Sequence, residues 1–229
     1  MDKTENRVIS TFGNRALIEL DNKTVPCLIR TKKQTLVTND FVTVNKKTQP
    51  ILATGISKRN NLFFRQNNSK QKLIVANLDC LYIVIASEPK FSSETLYSML
   101  ASALKENISV SIILNKVDLK EQTKKIKKTL DLISPFRIES LNNSSTLKCE
   151  PSLFNLLNID VIQTNTFSKN GINDLKKSIE SHEKNGLSSS VALVGQSGTG
   201  KSSIINLLVP DAKIGVASIS EFLNSGKHT

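Results

Sequence analysis

The stretch VALVGQSGTGKSSIINLL, residues 191–208, decides the fold class of this 229-residue chain. Its first four residues predict a buried strand, Gly195–Ser202 match the pattern G-x-x-x-x-G-K-[S/T], and the residues from Lys201 onward predict a helix. Glycines in this pattern let successive backbone N–H groups turn toward phosphate oxygens, and the helix N-terminus adds a favourable dipole. The stretch therefore predicts a phosphate-binding loop between a strand and a helix.

Each part of this loop has an expected contact. We expect Lys201 to reach the β- and γ-phosphates of a nucleotide and Ser202 to ligate Mg²⁺. The predicted phosphate-loop residues are Gly195, Gln196, Ser197, Gly198, Thr199, Gly200, Lys201, Ser202 and Ser203.

The segment Asn115–Asp118, NKVD, follows the apolar run VSIIL and indicates which base is bound. A carboxylate at Asp118 can accept hydrogen bonds from guanine N1–H and N2–H₂, whereas adenine has no exocyclic N2 donor. We expect Asn115 to brace the loop and to meet the base edge, and the stem of Lys116 to pack on the ring. The predicted cofactors are therefore GTP or GDP with Mg²⁺, and a P-loop ATPase is the weaker alternative.

Strands and helices alternate between residue 73 and the phosphate loop. Continuous apolar runs such as Cys80–Ala86 are typical of strands buried on both faces, and their alternation with helices predicts a mostly parallel α/β sheet. The predicted strands are Cys80–Ala86, Val110–Leu114, Ile159–Gln163 and Val191–Val194, and the predicted helices are Ser92–Glu106, 120–133, Gly171–Glu183 and Lys201–Val209.

The first 57 residues follow a different pattern, with about five short strands, tight turns and no helix. This pattern predicts a small β-barrel of the OB type. The polar, basic segment 58–72 has no clear period and is interpreted as a linker. The predicted domains are thus 1–57, an OB-type RNA-binding barrel; 58–72, the linker; and 73–229, a nucleotide-binding domain.

The charge of the chain is uneven. The net charge is +11, and residues 1–70 hold 13 Lys and Arg against 5 Asp and Glu. A basic module at one end indicates a polyanionic partner such as nucleic acid, although a solubilising surface explains the same charge. The absence of a long apolar run and of an apolar leader predicts a cytoplasmic protein without membrane contact, and three widely spaced cysteines indicate neither a zinc knuckle nor a disulfide framework.

The order of the motifs is unusual, because the base-reading NKVD precedes the phosphate loop. This order, behind a basic barrel, resembles the circularly permuted, ribosome small-subunit-dependent GTPase A (RsgA) family. Several further stretches resemble the same family: RVISTFG (7–13), CLIRTKK (27–33), LVTNDFV (36–42), IVANLDCLYIVIASEP (74–89) and ISEFLNSGKHT (219–229).

The resemblance implies a GTPase acting in late maturation of the small ribosomal subunit, with the barrel on ribosomal RNA. It also implies that Asn165 and Thr166 form the base-supporting loop, that His228 in the first switch is a candidate catalytic residue, and that the protein is a monomer. The family's third GTPase motif and Cys/His zinc module do not occur in the chain. The nucleotide domain is therefore expected to be incomplete and its hydrolysis impaired, with zinc expected only in the missing module. The alternative is a non-catalytic RNA-binding OB protein with a degenerate nucleotide domain.

Overall fold

A computed structural model describes residues 6–29, 35–67, 70–89, 92–132, 159–182 and 189–212. In these residues the chain forms two compact units. The first comprises the described residues of Met1–Cys80, Tyr97–Ser109 and Ser189–Val191, and the second comprises those of Leu81–Leu96, Val110–Ser188 and Ala192–Thr229. The predicted limits at 57 and 72 remain a prediction.

Five strands of the first unit close into a barrel. They are β1 (Asn6–Phe12), β2 (Arg15–Leu20), β3 (Lys23–Ile29), β4 (Phe41–Asn45) and β5 (Ile51–Ile56). Their order around the barrel is β1-β2-β3-β5-β4, with β3 parallel to β5 and with β1 antiparallel to β4. This is the small five-stranded barrel that the short strands and tight turns predict.

Alternation along the strands builds the barrel core. Ala16, Ile18 and Leu20 of β2 are buried, whereas Arg15 and Glu19 on the same strand are exposed. Successive side chains of a strand point to opposite faces, so one face of β2 fills the barrel and the other faces water. The buried cluster consists of Val8, Ala16, Ile18, Leu20, Cys27, Leu36, Val42 and Ala53.

The segment predicted as a linker contains secondary structure that the sequence analysis did not predict. Strands β6 (Leu62–Asn67) and β7 (Lys70–Ala76) pair antiparallel in a two-stranded sheet of their own. The register shifts between Phe63 and Phe64, and both neighbouring phenylalanines are buried. Two consecutive inward side chains remove the alternation by which a strand is recognised in a sequence.

A second sheet has the strand order β10-β9-β8-β11, in which β9 and β10 run parallel. Its strands are β8 (Cys80–Ala86), β9 (Ser109–Asn115), β10 (Asp160–Gln163) and β11 (Val191–Val194). The helices are α1 (Ser93–Lys105), α2 (Lys120–Leu132), α3 (Ile172–Glu180) and α4 (Lys201–Leu208), followed by a 3₁₀ turn at Pro210–Ala212. None of the helices in these ranges is both long and apolar enough to cross a membrane.

Burial differs between the strands of this sheet. All seven residues of β8 are buried, which is typical of a strand covered on both faces of its sheet. The predicted strand Val191–Val194 is present, but the prediction that it is buried is wrong, because all four residues are only half-buried. Among the described strands β11 lies at the edge of the sheet, which leaves its side chains less covered.

The entry to β11 is anchored by Asp79, just before β8. The backbone N–H of Ser190 donates to Oδ2 of Asp79 at 2.8 Å, and the N–H of Asp79 donates to the carbonyl of Ser190 at 2.8 Å. Arg7 of β1 donates from Nη2 to Oγ of Ser190 at 3.1 Å. These bonds fix where β11 begins, four residues before the phosphate loop.

Candidate nucleotide-binding site

The loop between β11 and α4 has positive φ at three positions, and all three are glycine. They are Gly195 (φ 153°), Gly198 (φ 81°) and Gly200 (φ 95°), in conformations that residues with a side chain rarely adopt. A Cβ atom on Gly195 would collide with the carbonyl oxygen of Val84 in β8, and one on Gly200 would collide with Nδ2 of Asn115. The two glycines therefore let the loop pass directly against the ends of its neighbouring strands.

The start of α4 meets two requirements of a phosphate site. Gly200 occupies the N-cap position and has no side chain that could satisfy the first N–H groups of the helix. Lys201 donates from Nζ to the carbonyls of Gly195 at 2.9 Å and Gln196 at 2.7 Å. Its ammonium is thus held over the loop, and burial lowers the pKa of Lys201 from its usual value.

Asn115 lies at the centre of the arrangement and is completely buried. Its Nδ2 donates to the carbonyl of Thr199 in the phosphate loop at 3.0 Å, and its Oδ1 accepts from the hydroxyl of Thr164 at 3.0 Å. One side chain at the end of β9 therefore connects the phosphate loop with the segment that follows β10.

The rest of the NKVD segment is less buried. Lys116 has φ 60° and donates from Nζ to the carbonyl of Glu88 at 2.8 Å, while its own carbonyl accepts from Ser87 Oγ at 3.1 Å. Burial lowers the pKa of Lys116, and the nearby carboxylates of Glu88 and Asp118 oppose that shift. Asp118 is exposed, so its carboxylate is open to a ligand.

The segment after β10 forms a tight loop next to NKVD. The backbone N–H of Thr164 donates to the carbonyl of Leu114 at 2.8 Å, and the N–H of Val117 lies 3.4 Å from the carbonyl of Thr164. Oδ1 of Asn165 accepts from the N–H groups of Phe167 at 2.8 Å and Ser168 at 3.3 Å.

The structure brings most of the predicted site residues together. Hydrogen bonds of Asn115 join NKVD to the phosphate loop and to Thr164, the residue before the predicted pair Asn165 and Thr166. Asn165 is buried and shapes its own loop, and Thr166 is half-buried. In the phosphate loop, Ser197 and Gly198 are exposed, and Ser202 and Ser203 are half-buried at the start of α4. His228 lies outside the described residues.

Sequence reasoning missed Thr164, which is fully buried. Its position directly after a predicted parallel strand and beside an asparagine was the available signal, since polar residues at that end of a parallel strand commonly line a ligand site. Among the described residues, no group of three His, Cys, Asp or Glu side chains could hold a metal ion. A magnesium ion here would take Ser202 as its protein ligand and its other ligands from phosphate oxygens and water.

Comparison with known proteins identifies the family. Residues 56–229 match the family model described as RsgA GTPase. The chain belongs to the RsgA GTPase family. Two curated proteins named small ribosomal subunit biogenesis GTPase RsgA illustrate the likeness. The one from Paraburkholderia phymatum is 32% identical over all of this chain and 65% of its own length, and the one from Nitrosospira multiformis is 33% identical over 97% of this chain and 62% of its own length.

The chain thus spans about 65% of the length of the curated RsgA relatives it matches. Solved structures support the fold at lower identity. YjeQ from Thermotoga maritima has a TM-score of 0.62 at 19% identity, covering 93% of this chain and 67% of its own. YloQ, titled a circularly permuted GTPase, has a TM-score of 0.55 at 19% identity, covering 90% and 64%. The predicted fold, an OB-type barrel followed by a permuted P-loop domain, is confirmed.

Proposed function

We propose that this chain binds GTP and GDP with Mg²⁺, and that the protein it belongs to hydrolyses GTP during biogenesis of the small ribosomal subunit. The observation that carries the proposal is the side chain of Asn115, which hydrogen-bonds both the phosphate loop and the segment after β10. A base-reading loop and a phosphate loop joined in this way suit one ligand that has a base and phosphates. The names of the curated RsgA proteins support the ribosomal role.

Different residues of the chain bind the base and the phosphates of the nucleotide. The exposed carboxylate of Asp118 accepts hydrogen bonds from guanine. The N–H groups at the start of α4 and the ammonium of Lys201 receive the phosphates, and binding would exchange the carbonyl partners of Lys201 for a full negative charge. Ser202 is the residue that would hold magnesium, which when bound would neutralise negative charge on the phosphates.

We further propose that the barrel contacts ribosomal RNA. Support comes from the 13 basic residues against 5 acidic ones in residues 1–70 and from the exposure of Arg15, Lys23 and Lys47 on the barrel. Not every basic residue of residues 1–70 is free to contact RNA, because Arg7 is hydrogen-bonded to Asn39 and Ser190. The monomeric state and the cytoplasmic location stay predictions.

Nucleotide binding is tested with a fluorescent GDP analogue and unlabelled competitors. We expect GDP to displace the analogue and ADP to fail at the same concentration. Lys201→Ala should weaken GDP binding at least tenfold, because a charge-assisted contact to phosphate is worth about 1.5–3 kcal/mol. Lys128→Ala removes the same charge from an exposed position on α2 and is the matched control.

The results separate the alternatives. Equal displacement by ADP would favour an ATPase site, and unaltered GDP affinity in folded Lys201→Ala would remove the loop from the phosphate site. Phosphate release from GTP, measured with and without small ribosomal subunits, then tests the enzyme. A protein that binds RNA yet releases no phosphate under either condition, even when extended to the length of its relatives, is the non-catalytic alternative.

A further inference from the structure

Phe167 is the most exposed large hydrophobic side chain among the described residues, with 85% of its surface open to solvent. Burying a phenylalanine in a protein of this kind is favourable by about 1.5–3 kcal/mol, so its exposure leaves that stabilisation unused in the free chain. The ring is in the loop between β10 and α3, whose first residue, Thr164, contacts Asn115. An apolar ring thus lies in the segment that borders the base-reading loop.

The backbone around this ring is held firmly. The N–H of Phe167 donates to Oδ1 of Asn165 at 2.8 Å, and the N–H of Asn165 donates to the carbonyl of Asn170 at 3.0 Å. Gly171 closes the loop with φ 74°, at a point where a Cβ atom would collide with the carbonyl of Gln163. These contacts hold the backbone that carries the ring in one conformation. Ligand binding therefore costs little additional backbone entropy.

We propose that Phe167 stacks on the purine ring of the bound nucleotide. The inference rests on the proposed function and deepens it, because it assigns recognition of the flat face of the base, whereas Asp118 reads its edge. Purines have large π-faces that aromatic side chains cover irrespective of which base is present. Phe167 therefore contributes affinity, and Asp118 contributes selectivity.

This division of roles yields a specific expectation. Phe167→Ala raises the Kd for GDP about tenfold, within the range produced by removing one base–aromatic stack. The ratio of GDP to ADP affinity stays the same, because both purines lose the same contact. Competition by inorganic pyrophosphate, which has no base, is unchanged. A purely structural role for Phe167 would weaken pyrophosphate as well.

The stacking contact can be measured by tryptophan fluorescence. The chain contains no tryptophan, so an introduced indole is the only source of that signal. Phe167→Trp keeps a stacking ring and introduces the single indole of the protein. GDP should quench its fluorescence with a saturation curve whose Kd is near that of the parent chain, and pyrophosphate should not quench it. Phe12→Ala is the matched control, because Phe12 is 65% exposed on the barrel and its loss should leave the Kd for GDP unchanged.

The outcomes are distinguishable. If the parent chain binds GDP, and folded Phe167→Ala binds it equally well or the indole at this position is not quenched, the stacking role is overturned and the proposed function stands. If Phe167→Ala weakens GDP and pyrophosphate alike, the residue only maintains the loop and the inference is overturned. If the parent chain binds no GDP at all, the proposed function fails and this inference fails with it.

Discussion

At the scale of single residues, the site depends on the side-chain amide of Asn115. Its donor and acceptor are both used, and both partners lie on other segments of the chain. An aspartate at this position would lose the donor and a leucine would lose both groups, in each case leaving a buried polar partner unsatisfied at a cost of about 1–3 kcal/mol. The asparagine therefore sets the distance between the two loops that are proposed to hold the two ends of a nucleotide.

The neighbouring Asp118 allows a test of base selectivity. Asp118→Asn replaces an acceptor with an amide, so guanine loses charged hydrogen bonds worth roughly 1.5–3 kcal/mol each. Xanthine has an oxygen where guanine has its amino group, and that oxygen can accept from the new amide. We expect the variant to bind XDP better than GDP, as measured by competitive titration against a fluorescent nucleotide.

The control for this substitution is Asp21→Asn. Asp21 is an exposed carboxylate of the barrel that pairs with Lys46 at 3.0 Å, and its loss should leave both affinities as they are in the parent chain. An Asp118→Asn variant that still prefers GDP would show that the base is read by other atoms.

The motif residues of the candidate site could be proposed from the sequence because glycines and charged side chains at fixed spacing indicate their chemistry there. Thr164 could not be predicted with the same means. Its role depends on the hydroxyl reaching Oδ1 of Asn115, 49 positions earlier in the chain, which only the pairing of β9 with β10 arranges. The exposure of Phe167 likewise follows from the shape of its loop.

At the scale of secondary-structure elements, a strand whose side chains are all buried could be predicted accurately from the sequence. Strand β8 begins and ends at the predicted residues, Cys80 and Ala86, because all seven of its side chains are buried and the apolar run has the same limits as the strand. Helix α1 was recognisable by its spacing and by Ser92, whose Oγ accepts from the N–H of Thr95 at 3.2 Å. The hairpin of β6 and β7 was not recognisable, because its bulge at Phe63 and Phe64 disrupts the strand period.

The connection from β11 to α4 supplies a prediction about backbone geometry. Gly200→Ala should lower the GDP affinity at least tenfold and should reduce the Tm, because the new Cβ would displace Asn115 in addition to straining a backbone with φ 95°. The strain alone costs about 1–2 kcal/mol for an L-residue in the left-handed region. Thermal unfolding and nucleotide titration measure the two effects.

Gly13→Ala separates strain from collision. Gly13 has φ 60° in the turn between β1 and β2, and a Cβ atom there would meet nothing within 4 Å. This variant should show a smaller loss of Tm and an unchanged Kd for GDP. Equal losses of Tm in the two variants would mean that the contact between Gly200 and Asn115 adds nothing beyond backbone strain.

At the scale of the whole molecule, the excess of positive charge in residues 1–70 bears on RNA binding. Binding driven by neutralised phosphates releases counterions and weakens steeply as salt rises. We expect the double variant Lys32→Glu, Lys33→Glu to bind ribosomal RNA more weakly at low salt and to flatten the salt dependence by about two ions. Filter binding across a salt series measures both quantities; these two lysines lie outside the described residues.

The matched control is the double variant Lys127→Glu, Lys128→Glu, which makes the same change of net charge on the exposed surface of α2. RNA binding should respond much less to it if the contact is local to the N-terminal module. Equal losses in the two double variants would mean that only the total charge matters, as expected of a solubilising surface.

The bond between Asp79 and Ser190 has a consequence for biosynthesis. The two residues are 111 positions apart, so β11 can take its place only after the intervening chain has been translated. The barrel strands, in contrast, all lie within the first 56 residues and can fold as soon as they leave the exit tunnel. In a nascent chain of this protein, all five barrel strands are therefore complete well before β11 and the loop that follows it have been translated.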